Sequence, residues 1–206
     1  MTHQTPQLRA DLELIAAMVP DGARVLDIGC GTGDLLAHLR DNKSVDGRGI
    51  ELDPARVNAC LAKGLSVIQG DADADLENYP AGAFDVAILS QTIQATHRPK
   101  LVLQHLLRVA DMTIVSFPNF AHWRVRLALI LSGRMPVTKR LPRQWYETSN
   151  IHLCTVADFS DLCTELEARI EEATMLSQSG RTNSFDPKSA LANLQADTAI
   201  FRLTAR

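Results

Sequence analysis

Apolar positions in the first part of the chain recur at helical spacing. Leu8, Leu12, Ile15 and Val19 fall three and four residues apart, which predicts an amphipathic helix over 8–19 that Pro20 and Gly22 end. The period then changes. "ARVLDIG" is a short, almost wholly apolar run of the kind found in strands buried on both faces, and a glycine-rich turn separates it from a helical "LLAHLRD". "GRGIELD" predicts a second strand, and "PARVNACLAKG" a helix with Pro54 in its first turn and Gly64 at its end. "LSVIQGD", "AFDVAILSQ" and "MTIVSFPN" read as the third, fourth and fifth strands, with "KLVLQHLLRVA" a helix between the last two. Strand and helix thus alternate with short connections. That alternation predicts an α/β fold with a mostly parallel sheet, helices on both faces, and ligands at the carboxyl ends of the strands. The segment 120–150 carries no strand pattern and reads as a cap inserted after the fifth strand. "VADFSDLCTEL" resumes as a helix and "ARIEEATML" as a strand. "TAIFRLTAR" is the last strand, antiparallel, and brings the expected count to seven; the polar stretch Ser177 to Ser189 is an exposed loop.

Composition narrows the class without changing that picture. A chain of 206 residues is expected to form a single domain, 1–206, and 46% hydrophobic with 22% charged residues excludes disordered and collagen-like chains. A net charge of -3 offers no global attraction to a nucleic-acid backbone, so no nucleic-acid partner is expected and any anion site has to be local. Arg9, Asp11 and Glu13 interrupt the apolar positions near the amino terminus, which therefore lacks the core of a secretory signal and points to the cytoplasm. The greasiest patch, "LALILSG" from Leu127, is far shorter than the roughly 20 residues of a membrane-spanning helix, so no membrane association is expected. Cys30, Cys60, Cys154 and Cys163 form no C-x-x-C pair and read as buried thiols; His152 and Cys154 alone do not suggest a metal.

The first strand ends in "VLDIGCGTGD", which places Gly29, Gly31 and Gly33 behind Asp27. Glycines between a strand and a helix let the backbone turn sharply and let a ligand approach where a Cβ would collide. A dinucleotide site wants G-x-G-x-x-G, which puts the third glycine at 34, where Asp34 stands; with Asp27 it would repel a diphosphate. The residues resemble instead the first motif of class I S-adenosylmethionine (SAM) methyltransferases, whose ligand has no phosphate. The resemblance implies a Rossmann-like class I methyltransferase fold holding SAM or S-adenosyl-L-homocysteine. It implies that Asp27 and the three glycines cradle the ligand, that Glu51 in "GIELD" takes both ribose hydroxyls, and that Leu52 lies beside it. Asp71 in "GDA" would bond the adenine amino group and Ala72 a ring nitrogen through its N–H, while "FDVAILSQTIQ" brings Ser90 to the methionyl part. Taken singly, Glu51 reads equally as an acid favoured at the start of the following helix, and Asp71 as a turn former.

Methyl transfer from a sulfonium is an in-line displacement that needs alignment, exclusion of water and, for some acceptors, a proton acceptor. No dedicated catalytic residue is obligatory. The N-P-P-[YFW] sequence of amino-directed adenine methyltransferases is missing where "LSQT" ends the fourth strand, which argues against DNA adenine methylation. The cap holds Arg124, Arg126, Arg134, Lys139, Arg140 and Arg143 with no acid between Ala121 and Tyr146, together with Trp123, Trp145 and Tyr146. This reads either as a solvated basic face or as a recognition surface for an anion or an acidic partner. His122, Tyr146 and His152 are the candidate catalytic groups, with structural or exposed roles as the alternative.

The strings "VIQGDADADL", "IVSFPNFAHWRVRLALILSGRMPVT" and "LPRQWYETSNIHLCTVADF" resemble the methionine biosynthesis protein MetW family, over about Arg9 to the region of Leu176. Ala121, Arg143, Glu147 and Ser149 depart from that family's pattern, and none is a cofactor-motif residue. The resemblance implies an accessory or activator role beside a homoserine O-acyltransferase, acetyl- or succinyl-, in methionine biosynthesis. The alternatives are a methyltransferase acting on a small or anionic acceptor under the cap, or an adaptor that has lost the ligand; homo-oligomers are compatible with each. The apolar stretch Leu127 to Leu131 is more greasy surface than a small loop hides unless it packs on the sheet or on another chain.

Overall fold

The computed structural model describes residues 8–137, 143–148, 151–177 and 179–205, so Lys139, Arg140 and Ser149 lie outside the described residues. In chain order the elements are α1 (Ala10–Met18), β1 (Arg24–Ile28), α2 (Asp34–Lys43), β2 (Asp46–Glu51), α3 (Pro54–Ala62), β3 (Ser66–Gln69), a single turn α4 (Ala72–Asp75) and β4 (Phe84–Ser90). They continue as α5 (Pro99–Val109), β5 (Ala110–Pro118), α6 (Trp123–Ser132), α7 (Val156–Glu165), β6 (Arg169–Leu176), β7 (Thr182–Ser184), α8 (Ala190–Gln195) and β8 (Thr198–Thr204). Local chemistry sets several boundaries. The Asp53 carboxylate accepts from the Ala55 N–H ahead of Pro54 to start α3, and Thr155 with Asp158 closes a reciprocal capping box at the start of α7. Gly133, at φ 61°, ends α6 in the left-handed conformation.

The strands form one sheet in the order β3-β2-β1-β4-β5-β8-β6-β7. The first five are mutually parallel, β8 runs antiparallel between β5 and β6, and β7 pairs antiparallel with the end of β6. The sheet therefore has eight strands, not seven. The additional one, β7, is the exposed Thr-Asn-Ser inside the loop expected between the last two strands, and three polar residues carry no alternation to betray a strand.

Each strand divides its side chains between two cores. Leu26, Ile28, Ala87, Leu89, Val115 and Phe117 pack with α5 and α7, whereas Val25, Val86, Ile88 and Ile114 pack with α1 and α2. Burial on both faces is why these strands read as continuous apolar runs. Phe117, Phe159 and Phe201 lock α7 onto β5 and β8 with ring centroids 4.7 to 5.8 Å apart. The cap is stitched at its base: Ile151 and His152 donate their N–H groups to the Gln94 carbonyl, and Phe120 donates to Cys154. Among the described residues no helix is long and apolar enough to cross a membrane.

Candidate functional site

In the sheet order the chain leaves β1 toward β2 on one side and returns to β4 on the other, and such a switch point opens a crevice at the strand carboxyl ends. A cavity of about 300 Å³ lies there. Its lining comes from the end of β1 (Ile28, Gly29), of β2 (Glu51, Leu52), from Gly70 to Asp73 after β3, and from Gln91, Thr92 and Ala95 to His97 after β4. A larger hollow of about 530 Å³ sits between α1 and the β6–β8 end of the sheet, away from those strand ends and from the glycine loop.

Glu51 organises the site. The carboxylate is 5% exposed, and it accepts the Gly31 N–H at Oε2 (2.8 Å) and the Asp53 N–H at Oε1 (3.0 Å). One side chain thus ties the glycine loop to the start of α3, and each oxygen keeps a lone pair for a further donor. The loop is also held from outside: Gly29 N–H donates to the Ile50 carbonyl (2.8 Å), the Cys60 thiol lies 3.3 Å from the Gly31 carbonyl, and Lys63 Nζ donates to the Thr32 carbonyl and to Asp34. That lysine holds the Asp34 carboxyl below its ordinary value, so Asp34 is committed to an ion pair. Gly29, Gly31 and Gly33 all have positive φ. A Cβ at Gly29 would strike Thr92, whereas one at Gly31 would meet no atom within 4 Å and would project into open space.

Beyond β3, Asp71 caps α4 by accepting the Asp73 N–H at Oδ1 (2.9 Å). Among the described residues its Oδ2 and the Ala72 N–H, the first amide of α4, take part in no hydrogen bond. An acceptor and a donor therefore stand side by side at the cavity wall. Glu51, Asp71 and Asp73 outweigh the one guanidinium in the lining, Arg56, so the cavity favours a cationic or polyhydroxylated ligand over a phosphate.

Asp27 lies beneath the loop, 3% exposed, and its carboxyl has no hydrogen-bond partner among the described residues. Burial, and then the neighbouring Glu51 charge, push it up from 3.8 to about 7, against a smaller opposing pull from Arg9. The folded protein therefore holds a proton on Asp27 that the unfolded chain releases at a lower pH, and the stability this group contributes declines as pH rises from about 4 to about 7 and is level above. Asp27→Asn is expected to abolish that component. Urea unfolding of both proteins across this pH range checks it, since parallel stability profiles would contradict the assignment.

Sequence reasoning missed a second arrangement at the mouth. Asp11 is fully buried; it accepts Arg9 Nε (2.8 Å) and Nη2 (2.9 Å) on separate oxygens and Gln91 Nε2 at 2.8 Å. Gln91 is held at φ 54°, a conformation that L side chains rarely adopt. The start of α1 is thereby latched onto the end of β4. The available signal was an acid at Asp11 in register with Ile15 on the buried face of α1.

The remaining candidates disperse. His122 is buried, caps α6 by accepting the Arg124 N–H at Nδ1 (3.3 Å), and is held below its ordinary pKa by burial. Tyr146 is exposed and packs edge-on against Trp145. Neither lines the cavity. His152 is exposed on the rim, with Nε2 3.4 Å from the carbonyl of His97, which does line it. Ser90 sits at the end of β4, its hydroxyl accepting from Ser116.

A family model described as methionine biosynthesis protein MetW matches residues 9–203, so the likeness runs past Leu176 through the last strand. The bifunctional methionine biosynthesis protein MetXA/MetW of Rhodopirellula baltica is 34% identical over 205 residues, covering 94% of this chain and 32% of its own length. The chain thus spans about a third of that relative. A SAM-dependent methyltransferase structure from Thermotoga maritima superposes with a TM-score of 0.70 at 16% identity, covering 96% of this chain and 88% of the other. The [4+2]-cyclase SpnF superposes with a TM-score of 0.67 at 16% identity, covering 94% and 80%. The fold is therefore that of class I SAM methyltransferases, and one of its bearers is a cyclase.

Proposed function

The chain belongs to the methionine biosynthesis protein MetW family, and from that premise we propose that it is a SAM-binding accessory protein that acts on a homoserine O-acyltransferase. The observation that carries the ligand is the donor set at the switch point. Glu51 offers a buried carboxylate suited to two ribose hydroxyls, Asp71 Oδ2 and the Ala72 N–H form an acceptor and donor pair suited to an adenine edge, and exposed Leu52 can cover the base. We assign Asp27, the glycine loop and Ser90 to the methionyl end, although of these residues the cavity lining contains Gly29 and not Asp27, Gly31, Gly33 or Ser90. When bound, SAM supplies an electrophilic methyl group on a cationic sulfur, and the acidic lining suits that charge.

The partner is supported by the relative in which a MetXA and a MetW portion share one chain. A second reading, a methyltransferase on a small or anionic acceptor, is favoured by the His152 ring at the cavity rim, where Nε2–H facing the His97 carbonyl leaves Nδ1 as a proton acceptor. One set of assays separates the two. Purified homoserine O-acyltransferase is expected to change rate when this protein is added, and SAM is expected to alter the affinity of the pair by the same factor by which the pair alters the affinity for SAM. An unchanged rate at micromolar concentrations, with transfer of labelled methyl to a small molecule, would put the methyltransferase first.

A further inference from the structure

The cap helix α6 is apolar and almost unburied. Val125 alone on it is buried (5% exposed), whereas Trp123, Leu127, Ile130 and Leu131 are 45%, 44%, 78% and 76% exposed. Those four stand at i, i+4, i+7 and i+8, on one side of the helix, and exposed Arg134 follows the left-handed Gly133 just past its end. Met135 and Val137 extend the apolar surface beyond Gly133. The packing that would hide this stripe on the sheet does not occur. Among the described residues the helix is held at its start, where His122 caps it, Val125 inserts, and Arg126 Nε donates to the Ala121 carbonyl at 2.7 Å. An apolar stripe at that spacing is the pattern by which one helix lies in a groove of another protein.

We propose that α6 is the docking element of this chain, inserting Trp123, Leu127, Ile130 and Leu131 into an apolar groove on the MetXA-type acyltransferase, with an acidic rim on that partner meeting Arg126 and Arg134. This rests on the accessory reading and adds to it the surface and its chemistry. Charge selects the occupant. Between Ala121 and Tyr146 the chain has no acid, so a second copy packed on the same face by twofold symmetry would set these arginines against each other. A partner with acidic residues around the groove pairs them. The bifunctional relative supplies the candidate, since its other portion stays beside its MetW portion by covalent linkage.

The test uses the full-length chain and the separately purified homoserine O-acyltransferase, with Leu127→Asp/Ile130→Asp as the principal variant and Arg134→Glu as the charge variant. All three sites are exposed, and unchanged circular dichroism together with unchanged calorimetric binding of S-adenosylhomocysteine establishes that the double variant is folded. The expected result is a complex whose dissociation constant rises at least tenfold in the double variant. Arg134→Glu is expected to slow association and to flatten its dependence on salt. A complex that forms equally well with the folded double variant overturns the assignment of α6 and leaves the accessory reading standing. Absence of any complex with the unaltered chain overturns both. Sedimentation showing self-association that the double variant abolishes assigns the face to a second copy instead, and flotation of the unaltered chain with phosphatidylserine vesicles assigns it to a membrane surface; either also overturns the proposal.

Discussion

Glu51→Ala is expected to lower the affinity for S-adenosylhomocysteine by about two orders of magnitude. Hydrogen bonds to a charged group contribute about 1.5 to 3 kcal/mol each, so losing both ribose contacts costs about 3 kcal/mol or more, and each 1.4 kcal/mol is tenfold in affinity. The substitution acts on the protein as well. The Gly31 and Asp53 amides lose their acceptor, and the tie between the glycine loop and the start of α3 goes with it. Glu51→Gln keeps a carbonyl oxygen for one amide but turns an NH2 toward the other, so it is expected to fall between the parent and Glu51→Ala in both affinity and thermal stability. Calorimetry on the folded variants decides the point; an Ala variant that binds as tightly as the parent would place the ligand elsewhere.

Gly33→Ala is expected to cost clearly more stability than Gly31→Ala in the same loop. Gly33 is held at φ +75°, where a Cβ is strained, and that Cβ would collide with the Leu65 side chain and come within 2.9 Å of Cys60 Sγ. Cys60 and Leu65 belong to a small closed core with Cys30, Leu36, Val57 and Val67, which has little room to give. A left-handed residue costs about 1 to 2 kcal/mol and overpacking about 1 to 3, for a total near 3 kcal/mol. At roughly 2 to 4 °C per kcal/mol for a chain of this size, the thermal midpoint should fall by about 6 to 12 °C. Gly31→Ala is the control. Its φ is +59° but nothing stands within 4 Å, so only the backbone term of about 1 kcal/mol applies, while ligand affinity suffers because the methyl group enters the cradle. Thermal unfolding by circular dichroism compares the two, and equal midpoints would mean that the Cys60 and Leu65 side chains yield without cost.

Where physical signals are local, the sequence by itself determined the result. Strands buried on both faces announce themselves as apolar runs, and helices by period and caps. The glycine loop, Glu51 and Asp71 are marked by their positions at strand ends, because the parallel strands β1, β2 and β3 all bring their carboxyl ends to one edge of the sheet. Family membership was legible for the same reason, in contiguous strings such as "NFAHWRVRLALILSG". The short elements were not: β7 is three polar residues without alternation, and α8 is a helix of six residues capped by Ser189.

Other features depend on distant parts of the chain meeting, and those only the tertiary structure decided. Asp11 joins Gln91 across 80 positions, a pairing that no window along the sequence contains. Asp27 lies in the same loop motif that the sequence revealed, yet its proton is held by burial and by the Glu51 charge, both of which exist only once the sheet has closed around it. His122 reads as a proton acceptor from its type and becomes a helix cap because α6 begins at Trp123. The apolar run Leu127 to Leu131 left two outcomes open, the sheet or another chain. The fold selects exposure, since α6 leaves the end of β5 with only Val125 facing inward and so carries its apolar stripe away from both cores.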